Sequence, residues 1–202
     1  MTTGKSGSSG IIYLRRLLFD MLFFTNLLAF KIAWLSSVIG GGTDMPWIGP
    51  AAVSVALLLH FRAAQKPLEE ILLVLICAVI GTSFDSFLVA SGLVAYKAGM
   101  FSSYIAPYWI ITLWMLFATT LNVSFRWLRG KVLLSALIGC LGGPASYLAG
   151  QALGGIVLVD KTGALIALAV GWAVIMPLLM RLAENLDGMP GPRRKWLREQ
   201  SR

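Results

Sequence analysis

The sequence predicts an all-α integral membrane protein, a bundle of six transmembrane helices, and three observations carry that expectation. The 202-residue chain is 57% hydrophobic and only 13% charged, against roughly 45–50% and about 25% in an ordinary soluble domain. Its apolar residues fall in runs of about twenty, the length that crosses a ~30 Å hydrocarbon layer. Its Lys and Arg residues gather on one side of those runs, as the loops of a membrane protein do.

Residues 1–16 are small, polar and Ser/Gly-rich at their start and read as a disordered cytoplasmic tail. The first span covers about 17–39, between Arg15-Arg16 and the Gly40-Gly41-Gly42 breaker. It is too long for the apolar region of a signal peptide, it contains Asp20 and Lys31, and it ends without a small-x-small cleavage pattern. An uncleaved helix is expected. The second span, about 47–64, opens with Pro46 and Trp47, which suit a helix start at a membrane interface. The third, about 68–96, carries Glu69 and Glu70 in its first turn, where negative charge favours the helix dipole. The fourth spans about 105–124, the fifth 132–159 and the sixth 162–182, with a basic tail over 183–202.

Charge placement orients these spans. With the N-terminus inside, Arg15, Arg16, Arg62, Lys66, Arg126, Arg129, Lys131, Arg181 and the basic tail all face the cytoplasm, while the outer loops hold only Lys97 and Lys161. Both termini are then cytoplasmic, in the plasma or bacterial inner membrane. The net charge of +8 follows from this topology, and no nucleic-acid recognition motif accompanies it. Arg193, Arg194, Lys195, Arg198 and Arg202, with Trp196, are expected to rest on anionic lipid. Cys77, Cys140 and the single His60 provide no metal-ligand spacing and no disulfide framework. No cofactor is expected.

Ionisable groups in hydrocarbon cost several kilocalories, so each is a candidate site. Lys31 in the first span and Asp85 in the third both lie about three residues past the middle, roughly 4–5 Å to the outer side of the midplane. They are expected to face each other as an ion pair, which serves either as a clamp between two helices or as part of a polar site. Tyr147 and Gln151 on the fifth span lie at depths comparable to or beyond these and, facing inward, complete a candidate polar pocket with them. Asp20 and His60 lie near the cytoplasmic ends of their spans and read as interfacial. Trp114, near the midplane of the fourth, needs an acceptor for its indole N–H.

The fifth span carries small residues every four positions, at Gly142, Ser146, Gly150 and Gly154, and the sixth answers with Gly163, Ala167 and Gly171. Such faces let helix backbones approach closely. Pro144, after Gly142-Gly143, removes one helix hydrogen bond and is expected to kink the span.

Several strings together resemble the domain of unknown function 2878 family. They are Asn26 with Phe30, Lys31 and Trp34; Trp47-Ile48-Gly49 and His60; Gly81 to Ser86, reading GTSFDS; Pro107-Tyr108-Trp109; Leu113 to Arg129; and Gly142 to Gly154, reading GGPASYLAGQALG. The resemblance implies a polytopic bacterial inner-membrane protein without an assigned activity and with a thin link to membrane fatty-acid modification. It also singles out Asp85 and the GGPASY stretch.

Three functions follow as expectations. A transporter or lipid-handling protein would use the Lys31, Asp85, Tyr147 and Gln151 pocket, with the fifth span as its movable element. The two three-span halves carry no visible similarity to support an inverted repeat. A structural or accessory subunit would pack against a membrane-protein partner or a second copy through its small-residue faces. A lipid-modifying enzyme has little to work with beyond Asp85 as a base and Tyr147 as a donor.

Overall fold

The structure, a computed structural model, describes residues 6–191, with side chains from Leu17 onward apart from Leu18. The basic tail expected on anionic lipid lies outside the described residues from position 192. Six helices and two short strands follow one another: α1 (Ser6–Gly42), α2 (Ile48–Ala63), α3 (Pro67–Ala90), β1 (Val94–Tyr96), α4 (Tyr108–Leu121), a 3-10 turn at Arg126–Leu128, α5 (Val132–Ala152), β2 (Ile156–Leu158) and α6 (Lys161–Asn185). α1 starts at Ser6, inside the stretch expected to be a tail. α1 packs on α2 and α4, α3 on α4, and α5 on α6. The helices turn their basic ends, which carry Arg62, Lys66, Arg126 and Arg129, to one side, and the strands lie at the other.

Among the described residues four helices are long and apolar enough to cross a membrane: 19–42 of α1, then α3, α5 and α6. α2 and α4 have 16 and 14 residues, about 24 and 21 Å at 1.5 Å per residue, short of a ~30 Å core. The surface between the two ends is studded with large apolar side chains. Leu133 is 87% exposed, Phe24 67% and Val79 66%, a surface suited to hydrocarbon and not to water.

The third and fifth runs, expected to stay helical to 96 and 159, both break at a glycine in the left-handed region, Gly92 (φ 68°) and Gly154 (φ 82°). The backbone bonds match: Gly92 N–H donates to Val89 and Leu93 N–H to Leu88, as Gly154 N–H does to Gln151 and Gly155 N–H to Gly150. This is the helix-ending pattern that a positive-φ glycine permits and a Cβ would strain. Just beyond each glycine the chain becomes a strand, and β1 and β2 pair antiparallel with Val94 opposite Leu158, Ala95 opposite Val157 and Tyr96 opposite Ile156.

That register is symmetric about the Ala95–Val157 pair, and it exposes an internal repeat. α3–β1 and α5–β2 correspond at an offset of 62 positions, from Gly81 to Gly143, from Asp85 to Tyr147 and from Gly92 to Gly154, while the helices that follow, α4 and α6, correspond through Trp114 and Trp172 at a shorter offset. In each unit the next helix lays a tryptophan over the first glycine: a Cβ at Gly81 would overlap the Trp114 indole, and one at Gly143 that of Trp172. The two indoles stack at the centre, 4.8 Å apart and 15° from parallel. The repeat therefore relates the second and third helix pairs, with α1 and α2 outside it, which differs from a division into three and three.

The small-residue stripe on α5 works otherwise than expected. Gly139 and Gly143 are the positions that meet α6, through the Trp172 carbonyl and indole. Gly142 has nothing within 4 Å of where a Cβ would stand, Gly150 meets Ile156 of β2, and Gly171 receives the Phe84 ring of α3. α5 continues through Pro144 as a helix to Ala152.

Candidate functional site

Asp85 is fully buried, one turn beyond Gly81 on α3. Its Oδ1 accepts hydrogen bonds from the Tyr96 hydroxyl at 2.7 Å and from the Tyr147 hydroxyl, and its Oδ2 accepts from Trp114 Nε1–H at 2.6 Å. Three elements besides α3 thus converge on one carboxylate, and each is placed by a local feature. Gly92 turns the chain so that β1 brings Tyr96 back beside α3. Gly81 admits the Trp114 ring. Tyr147 occupies the position that the repeat assigns to Asp85 itself, so the two equivalent residues meet across the symmetric centre. An ionised carboxylate offers about four acceptor sites, and three are filled.

Beside this cluster lies a cavity of about 420 Å³, inside the range of roughly 300–1,000 Å³ that holds small-molecule ligands. Asp85, Tyr147, Trp114 and Trp172 form its inner wall, and Lys31 and Ser146 lie on its flanks. The rest of the lining is apolar and aromatic, Phe30, Trp34 and Phe117 among it. α1 and α5 stand on its two sides and make few contacts with each other. Lys31 and Gly142 on those two helices are exposed, so the cavity opens sideways through a slot at the apolar surface. Along α1 it is lined from Phe23 to Val38, about 22 Å of helix at 1.5 Å per residue.

Of the residues singled out in the sequence, Lys31, Asp85 and Tyr147 do line one cavity. The ion pair expected between Lys31 and Asp85 is not formed: among the described residues no acceptor lies within ion-pair distance of Lys31, and neutral donors occupy Asp85. Gln151 is exposed and outside the cavity, because it sits a full turn past Tyr147. The acceptor that Trp114 needs is Asp85. Tyr96 was hidden by the expectation that the third helix ran through it, and Trp172 had no signal beyond its composition.

A second buried polar cluster closes the basic end. His60 Nε2 lies 2.8 Å from Glu70 Oε2, and Glu70 Oε1 accepts from Asn122 Nδ2 at 2.7 Å and from the Gly188 amide at 2.8 Å. His60 is 5% and Glu70 0% exposed, so His60 is a core partner and not an interfacial residue. Glu70, likewise, does more than face the helix dipole. Arg126 and Arg129 hold Asp187 at 2.8 and 2.7 Å, which straps 186–189 across the helix ends. Burial pulls the Arg126 guanidinium below its usual value, and the adjacent Asp187 opposes that pull.

Long apolar helices, an apolar outer surface and a laterally open cavity beside a buried carboxylate define an α-helical protein of membrane type. Over residues 23–178 the chain matches the family described as Protein of unknown function (DUF2878), and it belongs to that family. No curated protein and no solved structure matches it.

Proposed function

We propose that this is a six-span protein of a bacterial inner membrane, with both ends cytoplasmic, that takes a lipid-like amphiphile into the slot between α1 and α5 as a transporter or lipid-handling protein. The basic end faces the cytoplasm on this reading, in keeping with positive charge on that side. The short α2 and α4 complete the six spans, the turns beside them making up the remaining depth.

The cavity carries the proposal. A water-facing ligand site would open toward one end of the bundle, whereas this one opens at the apolar flank, where the molecules at hand are lipids. It extends along about 22 Å of α1, an elongated shape that suits a hydrocarbon chain. The polar cluster at Asp85 marks where a head group would stop.

The test is quenching of the cavity tryptophans by a dibrominated fatty acid, in the native protein and in Gly142→Leu. Nothing lies within 4 Å of a Cβ at Gly142, so a leucine there enters the slot without disturbing the helix. Saturable quenching in the native chain, lost in Gly142→Leu at unchanged thermal stability, is the expected result. Equal saturable quenching in both would refute the reading.

A further inference from the structure

The groups left free around the cavity are donors. Lys31 lines it, is exposed there, and has no hydrogen bond or ion pair among the described residues. An ammonium at that depth is costly without a counter-charge. Among the described residues Asp85 makes no ion pair with it, and three neutral donors engage that carboxylate. Ser124 and Ser146 donate their hydroxyl protons within the protein, to Asn26 and to the Gly143 carbonyl.

The repeat explains a second free donor. Trp114 and Trp172 lie over equivalent glycines, and Trp114 gives its N–H to Asp85. The residue 62 positions on from Asp85 is Tyr147, whose hydroxyl turns to Asp85. The second unit therefore has no carboxylate of its own for Trp172, whose Nε1 is buried without an acceptor on a side chain that lines the cavity. A buried N–H left unpaired costs about 1–3 kcal/mol.

We infer that the polar end of the amphiphile is an anionic acceptor, a carboxylate or phosphate on a hydrocarbon chain, received by Lys31. The inference rests on the proposed reading of the cavity as an amphiphile site and adds the chemical class of the head group. Lys31 supplies the charge and three rotatable donors. The chain runs along the aromatic lining of α1 and α4, and Asp85, satisfied by its own donors, sets the polar depth without binding the anion.

The experiment titrates the purified full chain in detergent with dibromostearate, its methyl ester, an alkyl phosphate, an alkylamine and inorganic phosphate, reading tryptophan quenching or competition. The acid and the alkyl phosphate are expected to saturate, and the ester to bind about ten- to a hundred-fold more weakly, the worth of a charge-assisted hydrogen bond. Lys31→Gln should bring the acid down to the level of the ester and leave the ester unchanged. The thermal transition of this variant is measured alongside, since among the described residues Lys31 makes no ion pair whose loss would unfold the chain.

Equal binding of acid and ester, tighter binding of the alkylamine, or an unaffected Lys31→Gln would overturn the anionic head group. In each of those cases the amphiphile site itself would stand if Gly142→Leu still abolished binding. Displacement of the acid by inorganic phosphate at similar concentration would mean a free anion and not a lipid. Absence of saturable binding by every chain-bearing probe would remove both readings together.

Discussion

Replacing Asp85 by Asn tests whether the buried carboxylate organises the repeat. The native group accepts from two tyrosine hydroxyls on Oδ1 and from Trp114 Nε1–H on Oδ2. An asparagine oriented to keep its oxygen toward the tyrosines presents its NH₂ to the Trp114 N–H, donor against donor; flipped, it loses the tyrosines instead. Loss of charge assistance on one bond, worth about 1.5–3 kcal/mol, together with one unpaired donor at about 1–3, makes roughly 2.5–6 kcal/mol in all. Trp114→Phe keeps the aromatic stack on Trp172 and removes the conflicting N–H, at a cost of about 1.5–3 kcal/mol for the lost bond. In the double variant the donor conflict is gone, so the cost should fall below the sum of the singles by about 1–2 kcal/mol. Unfolding of the detergent-solubilised full chain, followed by denaturant or heat in all four proteins, measures the cycle. Additivity within about 0.5 kcal/mol would refute the view that Trp114 and Asp85 act as a bonded pair.

Glycine substitutions separate packing from open space: Gly81→Ala should destabilise by at least about 1–3 kcal/mol because its Cβ overlaps the Trp114 indole. Gly142→Ala, with nothing within 4 Å, should be neutral or raise stability by up to about 1 kcal/mol; thermal scans of the two side by side decide it. Glu70→Ala leaves His60, Asn122 and the Gly188 amide without their acceptor and should cost about 3–5 kcal/mol, with proteolysis near 186–189 rising in parallel. In a cysteine-free background, Ser103→Cys should react with a membrane-impermeant thiol reagent from outside the cell and Gln65→Cys only after permeabilisation. The same labelling pattern at both positions would refute the six-span orientation.

Much of the helical layout is legible in the sequence because length and composition decide it. A run of twenty apolar residues has few alternatives in a bilayer, where every backbone polar group must be satisfied within the segment. Rise per residue converts sequence position into height, and height alone places Asp85, Lys31 and Tyr147 as neighbours of one cavity. Approximate height is not enough, however: Gln151, one turn beyond Tyr147 on much the same face, lies past the cavity. Nor is height contact: Lys31 and Asp85 share a depth and make no ion pair. Glu70 is a sharper miss. Its place in a first turn has a sufficient local explanation, and nothing local says that Asn122, 52 positions away, will bond to it.

The internal repeat was invisible for a related reason. Only a few residues keep their kind across the 62-position offset, chiefly Gly81 with Gly143 and Gly92 with Gly154. Those glycines matter through backbone angle and close approach, properties that leave neighbouring positions free to diverge. Asp85 and Tyr147 share no chemistry, so no alignment of residue types would pair them; the antiparallel register of β1 and β2 does.

Hydrophobic runs, their lengths and the charges between them were enough to establish helices, their order and the apolar surface, because these depend on each segment's own exchange with lipid and water. Helix rotation is different. It is set by which glycine receives which indole and by where a left-handed residue ends a helix. Rotation in turn decided that Asp85 faces Tyr96, Trp114 and Tyr147, that Lys31 stands on a cavity wall with no ion pair among the described residues, and that α1 and α5 leave a slot between them. Each of those outcomes depends on contacts between residues far apart in the chain, whose energies no single segment contains.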